Sequence, residues 1–321
     1  MASSILTNAS AMTALKSLNM TNKALETTQT RISTGFKVGE ASDNAAYWSI
    51  ATTMRSDNKA LSTVQDALGL GMAKVDTAYT GMNAAIEVVD EIKTKLVAAS
   101  EPGVDQLKID KEITALKEQL KSISSSASFS GENWLANDGA VGTKSIVGSF
   151  TRDSSGFVSI GTLDVDVDAI TLTSSDDAAN GILTKDIDAD ALQTTPTGTA
   201  DNYFLLDVGS TTGATGTEIT LTGTNTTDEI SAMVRAVDSI LTQMTDSAAE
   251  LGASKKRIDM QNTFVTNLMD TIDKGVGTLV DADMSEESTR LQALQVQQQL
   301  GIQSLSIANG NSQQILSLFR G

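Results

Sequence analysis

Residues 291–319 read LQALQVQQQLGIQSLSIANGNSQQILSLF, a stretch with no charged side chain and no proline. Its heptad positions fall on Leu291, Leu294, Gln298, Gly301, Leu305, Ala308, Ser312, Ile315 and Phe319. A second stripe carries Val296, Leu300, Ile307 and Leu318, and eight Gln fill the gaps together with Ser and Asn. Such a helix is too polar to cross a bilayer and too uncharged to be an ordinary solvated one. A helix that is apolar on more than one side needs more than one partner. Polar, uncharged residues suit positions that are packed or that face confined water. The pattern therefore points to the interior of an assembly. The plainer alternative is a C-terminal helix docked on its own domain, and the residues alone leave both open.

The other end of the chain has a matching character. Residues 3–34 form a helix candidate in which Leu18, Leu25 and Ile32 repeat every seven, with Ile5, Ala11, Ala14 and Leu15 adding to its apolar side. Gly35 ends it. A longer candidate runs from Asp43 to about Ala99; at about 1.5 Å per residue it would extend roughly 85 Å, more than a compact domain needs. Pro102-Gly103 breaks the chain, and a third helix is expected over 104–126, with Leu107, Ile113, Leu116, Leu120 and Ile123 at helical spacing. After the middle of the chain, Asp228 is the expected cap of a helix through Met233, Val237, Leu241, Met244 and Leu251. Gly275-Val-Gly277 is expected to bend it, and Ser285 to cap the last helix.

The middle reads differently. Residues 131–230 hold twelve of the 24 Gly, and residues 194–227 hold thirteen Thr. SIVGSF (145–150) and FVSI (157–160) flank a turn at Asp153-Ser-Ser-Gly156, LDVDVD (163–168) alternates as a half-buried strand does, and short strands are expected around 203–208 and 218–221. The fold class is thus mainly α: a long antiparallel helical bundle or coiled coil formed by both chain ends, with a small β-rich inserted outer domain.

Composition removes most chemistry. There is no Cys and no His, and only two Pro, among 321 residues. Disulfides, thiolate sites, Cys nucleophiles, the commonest general base and the commonest transition-metal ligand are all absent. The net charge is −17, and residues 151–230 hold 14 acidic residues against Arg152 and Lys185, a net of −12. That disfavours nucleic acid and anionic membranes. No run of eighteen apolar residues exists, so no membrane insertion is expected, and the first twenty residues do not read as a Sec-type signal peptide. Near-motifs fail on inspection. Gly139–Ser145 lacks the Gly-Lys-Ser/Thr end of a phosphate loop, and Gly275-Val-Gly277 has Val280 where a dinucleotide loop needs its third Gly. Asp164, Asp166 and Asp168 are followed by Ala169 and Ser175 where a calcium loop needs Gly and Glu; Asp186, Asp188 and Asp190 fail likewise. No catalytic, cofactor-binding or metal site is expected.

Several segments, in order, resemble one known family. RISTGFKV (31–38), ASDNAA (41–46) and Ile50-Ala51 resemble the N-terminal signature of bacterial flagellins. LGASKKRI (251–258), DADMS (281–285) and QILSLFR (314–320) resemble their C-terminal part. The pattern is most similar to flagellins of soil alphaproteobacteria. The resemblance covers about residues 1–165 and 229–321. It implies an inner coiled-coil core from 1–33 and 285–321, a rod-like helical domain with a β-hairpin from 34–165 and 229–284, and a variable surface domain from 166–228. It further implies a self-polymerising, secreted, extracellular filament subunit for swimming, alone or with other flagellins, exported by the flagellar type III apparatus without a cleaved signal. Its partners would be an export chaperone on the C-terminal helix and the filament cap and hook-junction proteins. The subunit-interface residues would be Ile5, Leu18, Leu25, Ile32, Leu291, Leu294, Leu305, Ile315 and Phe319. In many family members the helix before the break carries an Arg-rich surface read by a vertebrate innate receptor. Here that stretch is VVDEIKTKL (88–96), with Ile92 where the key Arg is expected and Lys95 where a Glu is, which implies weak recognition. Two other readings are a hook–filament junction protein and, from a different class, a glycan-cleaving enzyme or adhesin built on the acidic segment. About 60 residues is small for an independent catalytic domain.

Overall fold

The computed structural model describes residues 8–318 except 138, 140, 141 and 197; for 311–318 it describes the backbone alone. The chain divides into two units, residues 1–59 with 268–321, and residues 60–267. Two long helices, α2 (Ala45–Ala99) and α4 (Thr227–Val280), each contribute to both.

The first unit contains α1 (Ala9–Thr34), the beginning of α2, the end of α4, and α5 (Met284–Leu318). Asn8 caps α1 by accepting from the Ala11 amide at 3.0 Å. Gly35 stops it with φ 77°, a left-handed conformation that suits glycine, and its amide donates to Arg31 O at 2.8 Å. The loop to α2 is held by Asp43, whose Oδ2 accepts from the Gly39 and Glu40 amides at 2.9 and 3.1 Å. Those two bonds, the one from Glu40 foremost, hold the Asp43 carboxyl below its ordinary value. Val38 and Ala51 pack with Val276 and Val280 in a small apolar core, and Asn58 donates to Asp273.

In the second unit the buried residues of α2 include Leu61, Val64, Leu68, Val75, Ala78, Met82, Ala85, Val89, Ile92, Leu96 and Ala99, which recur at steps of three, four or seven as a coiled-coil seam does. Ile230, Met233, Val237, Ile240, Met244, Leu251, Ile258 and Val265 do the same on α4. Cross-links tie 93 to 238, 76 to 255 and 65 to 266 (Lys93–Asp238 2.5 Å, Lys255–Asp76 2.6 Å, Gln65–Thr266 2.9 Å), so the register is antiparallel and unshifted. The third helix, α3 (Gln106–Ser126), adds buried Ile113 and Leu120.

The helix limits correct three expectations. Thr226, not Asp228, caps α4: its Oγ1 accepts from the Glu229 amide at 3.3 Å, and Glu229 Oε2 accepts from the Thr226 amide at 2.8 Å. Asp228 lies inside the first turn, where its charge still suits the helix N-terminus. Asp283, not Ser285, caps α5, accepting from the Ser285 and Glu286 amides at 2.8 and 3.2 Å. In both cases the capping side chain must stand outside the first turn to reach back to it. Finally, α4 continues through Gly275 and Gly277 to Val280 without interruption.

Among the described residues nine strands follow α3: β1 (Ser128–Phe129), β2 (Glu132–Asn133), β3 (Ala136–Asn137), β4 (Thr143–Arg152), β5 (Val158–Asp166), β6 (Thr173–Ser174), β7 (Ile187–Asp188), β8 (Asn202–Phe204) and β9 (Thr217–Glu218). Strands β4 and β5 form the expected hairpin, with a bulge between Val147 and Ser149. Its turn is closed by Asp153, whose Oδ1 accepts from the Ser155 and Phe157 amides at 2.9 and 2.8 Å. The hairpin docks on the helices where Gly71 leaves room for Ile146; a Cβ at that glycine would come within 2.4 Å of Ile146.

Segment 166–228 is tied to the helices of the second unit at several points. Strand β6 pairs in parallel with β3, and the Leu172 and Thr173 amides donate to Leu135 O. Arg235 on α4 donates to Ala189 O, Ser247 to Ala169 O, and the Leu221 amide to Asp110 on α3. Lys117 of α3 reaches Glu218 Oε1 at 2.8 Å and Ile219 O at 2.5 Å. Buried Ile170, Leu172, Leu183, Leu205 and Ile219 make its interior.

Candidate functional site: the α1–α5 pair and its open faces

Helices α1 and α5 run antiparallel. Apart from Arg31, the partly or fully buried positions of α1 are 11, 14, 18, 21, 25, 28 and 32; on α5 they are 287, 291, 294, 298, 301, 305 and 308. Each series alternates steps of three and four, the spacing at which one helix meets one partner. Asn8 Nδ2 donates to Ala308 O at 2.9 Å at one end. Gln298 Nε2 donates to Asn22 Oδ1 at 2.8 Å in the middle. Arg31 meets Glu287 at 3.1 Å at the other end. Gly301 sits under Leu18, where a Cβ would lie 3.1 Å from Leu18 Cδ1. Eight of these fourteen seam positions are small or polar (Ala11, Ala14, Thr21, Thr28, Glu287, Gln298, Gly301 and Ala308), so the helices come close but bury little apolar surface.

Glu287 is buried and takes both Arg31 and Arg290 on Oε1, while its buried Oε2 has no hydrogen-bond partner. This is the only acidic side chain among the described residues of the seam. It fixes the end of the pair next to Asp283, because a carboxylate in that setting is stable only with both guanidinium groups in place.

The structure places Leu18, Leu25, Ile32, Leu291, Leu294 and Leu305 in this seam, half-buried against the partner helix of the same chain. Ile5 and Phe319 lie outside the described residues, as does the side chain of Ile315. What remains open is a different set. On α5, Val296, Leu300, Ile302 and Ile307 point away from the seam, Leu300 being 57% and Ile307 65% exposed. On α1, Met12, Leu15 and Met20 do so, Met12 being 66% and Met20 64% exposed. A groove of about 880 Å³ runs between the helices beside Leu300 and Ile307, floored by Ala9, Ser10, Thr13, Ala14 and Ser17. The α5 stripe is the second one visible in the sequence. The Met12 and Met20 stripe is set beside the α1 heptads and could have been found there by the same count.

Ile92 is fully buried in the second unit, so it does not form part of any surface. It belongs to the α2 heptad stripe; Asp90, Glu91 and Thr94 are the exposed residues around it. Lys95 pairs with Glu112 of α3 at 2.6 Å, and that partner raises its pKa. The carboxylates singled out as failed cation loops act within the fold. Asp186 accepts from the Thr215 amide, the Thr215 hydroxyl and the Gly216 amide, and Asp188 from the Asp190 and Asp201 amides. Among the described residues no cluster of acidic side chains is arranged to hold a metal ion, and no helix is long and apolar enough to cross a membrane.

The comparisons with known proteins agree with this geometry. Residues 5–140 match the bacterial flagellin N-terminal helical region, and residues 234–319 match the bacterial flagellin C-terminal helical region. The chain is 61% identical over 319 residues to flagellin C of Rhizobium meliloti (strain 1021), covering 99% of each. It is 48% identical over 393 aligned positions to flagellin A of Rhizobium meliloti, covering 99% of this chain and 100% of that one. To a flagellin of Brucella melitensis biotype 1 it is 48% identical, with 99% of each chain covered. With its paired terminal helices matched end for end and its full length related to alphaproteobacterial flagellins, the chain belongs to the bacterial flagellin family.

Proposed function

We propose that the chain builds the flagellar filament by packing the outward faces of one α1–α5 pair against the pairs of neighbouring copies. The family gives the coarser role, a structural subunit of the filament that serves motility. One observation carries the finer reading: the seam is closed within the chain, yet Val296, Leu300, Ile302 and Ile307 remain exposed on a helix whose residues 291–319 carry no charge. Exposed apolar stripes on both helices of a pair favour burial by further copies. Repeated head-to-tail contacts of this kind generate an open helical polymer rather than a closed ring when the rotation does not close. The seam residues Leu18, Leu25, Ile32, Leu291, Leu294 and Leu305 then act indirectly, by holding the pair in the shape that neighbours recognise. Ile5, Ile315 and Phe319, which the sequence marks for the same interface, are assigned to the same assembly.

The role is structural, without catalysis or cofactor, and the site of action is the extracellular filament, built from this flagellin alone or together with others. The unsatisfied face of α5 is also what an export chaperone would cover before secretion, and the cap and hook-junction proteins would meet the two ends of the polymer. A hook–filament junction role has no observation in its favour. Electron microscopy of the full-length chain beside a variant lacking residues 291–321 tests the reading. Filaments from the full chain alone are expected; filaments from both would remove α5 from the interface.

A further inference from the structure

The chain has no thiol, so the side chains that peroxide oxidises most readily are its eleven methionines. Met82, Met233 and Met244 are buried in the second unit. Met12 and Met20 are the two most exposed of the described methionines, and both lie on the outward face of α1. They line a shallow groove of about 350 Å³ with Leu15, Lys16, Asn19 and Lys23. The same face is the one assigned above to contact with neighbouring copies.

We propose that Met12 and Met20 are an oxidation-sensitive control on assembly: a peroxide converts their thioethers to sulfoxides in the unassembled chain, which blocks polymerisation, whereas burial in the filament protects them. The inference rests on the filament reading of that face. In each event the O–O bond of hydrogen peroxide breaks and an S–O bond forms. The sulfur loses two electrons, and the peroxide is reduced to water. The product is a polar, chiral group in place of a flexible apolar one. On an exposed helix it is solvated by water. Inside a packed contact between helices the added oxygen must be desolvated and given room that the thioether did not need, which weakens the contact.

The test uses the full-length chain, treated with graded hydrogen peroxide, mapped for sulfoxide by peptide mass spectrometry, and added to filament fragments as seeds. Sulfoxide is expected at positions 12 and 20 before the buried methionines, and elongation is expected to fall about tenfold or more as those two are modified. The double variant Met12→Leu/Met20→Leu has no thioether at these two positions and is expected to elongate at the same rate after treatment as it does before it, whatever its untreated rate. Reduction of the oxidised wild-type chain by methionine sulfoxide reductases is expected to restore elongation, a readout that does not depend on the variant. Undiminished elongation by a chain oxidised at 12 and 20 would overturn the inference alone, as would equal loss in the treated double variant. Failure of the untreated chain to elongate any seed would sink the filament reading and take this inference with it.

Discussion

Replacing Lys117 by Met should cost little, and replacing its partner Glu218 by Ala should cost more. Lys117 is a charged side chain only 7% exposed, held between α3 and β9 by Glu218 Oε1 at 2.8 Å and Ile219 O at 2.5 Å. Burial lowers its pKa below the ordinary 10.5 in spite of the opposing pull of Glu218 and Asp110. Desolvation therefore outweighs attraction, the regime in which an apolar replacement of similar length is tolerated. Lys117→Met removes that desolvation and leaves Ile219 O short of a donor, about 1 kcal/mol, so the net change should stay within about 1.5 kcal/mol of wild type. Glu218→Ala leaves a buried cation with a single carbonyl. Breaking a fully buried pair costs about 3–5 kcal/mol, but Glu218 is 38% exposed and water can take its place, which reduces the expectation to about 1–3 kcal/mol. The double variant should be at least as stable as Glu218→Ala alone. The sign with pH follows from the lowered value. Below the folded pKa both states carry the charge and the fold bears its full cost. Between the folded pKa and 10.5 the unfolded state binds more protons, so the stability of the wild type rises relative to Lys117→Met. Urea unfolding followed through Trp134, which is buried in the same unit, reads all three variants. A Lys117→Met chain destabilised by more than about 3 kcal/mol, with Glu218→Ala milder, would refute this balance of desolvation and attraction.

Three further outcomes are expected. Gly71→Ala forces a Cβ to within 2.4 Å of Ile146 and should destabilise the chain by about 1–3 kcal/mol in denaturant titration, with a smaller effect when Ile146 is shortened to Val. Leu305→Asp puts a carboxylate into the half-buried α1–α5 seam and should unpair those helices, seen as faster hydrogen exchange across both 9–34 and 284–310. The α2 surface around Ile92 offers Asp90, Glu91 and a Lys95 already paired with Glu112 rather than an Arg fork, so reporter cells for the innate receptor should respond weakly. Full potency at ordinary flagellin doses would contradict that last expectation.

The helical ends were legible because one pattern carries both type and partner: a charge-free segment with heptads on Leu291, Leu294 and Leu305 can only be a helix with company. The same count applied to α2 exposes the stripe from Leu61 to Ala99, and with it the burial of Ile92, since Ile92 falls on that stripe between Val89 and Leu96. The hairpin was legible from Asp153-Ser-Ser-Gly156, whose side-chain bonds are local. The fate of 166–228 was not, because it depends on contacts distant in sequence, such as Lys117 with Glu218 and Ser247 with Ala169, and a lysine in an apolar helix face does not announce its partner. The caps were misplaced by two residues, since Asp228 and Thr226, or Ser285 and Asp283, are equally good capping types and only the backbone decides between them. Sequence showed which residues on the terminal helices are apolar. It could not show which stripe closes within the chain and which is left for a neighbour.

Paired charge variants on the open face separate the closed seam from the stripe left for neighbours. Leu300→Asp/Ile307→Asp leaves the seam intact and places two carboxylates where neighbouring copies are expected to pack. Purified variant and wild type would be added to the same filament fragments, with elongation followed by electron microscopy and helix content by circular dichroism. The account predicts wild-type helix content with no elongation. Filaments of normal length from the variant would show that the exposed stripe of α5 faces solvent in the polymer and that the interface lies elsewhere.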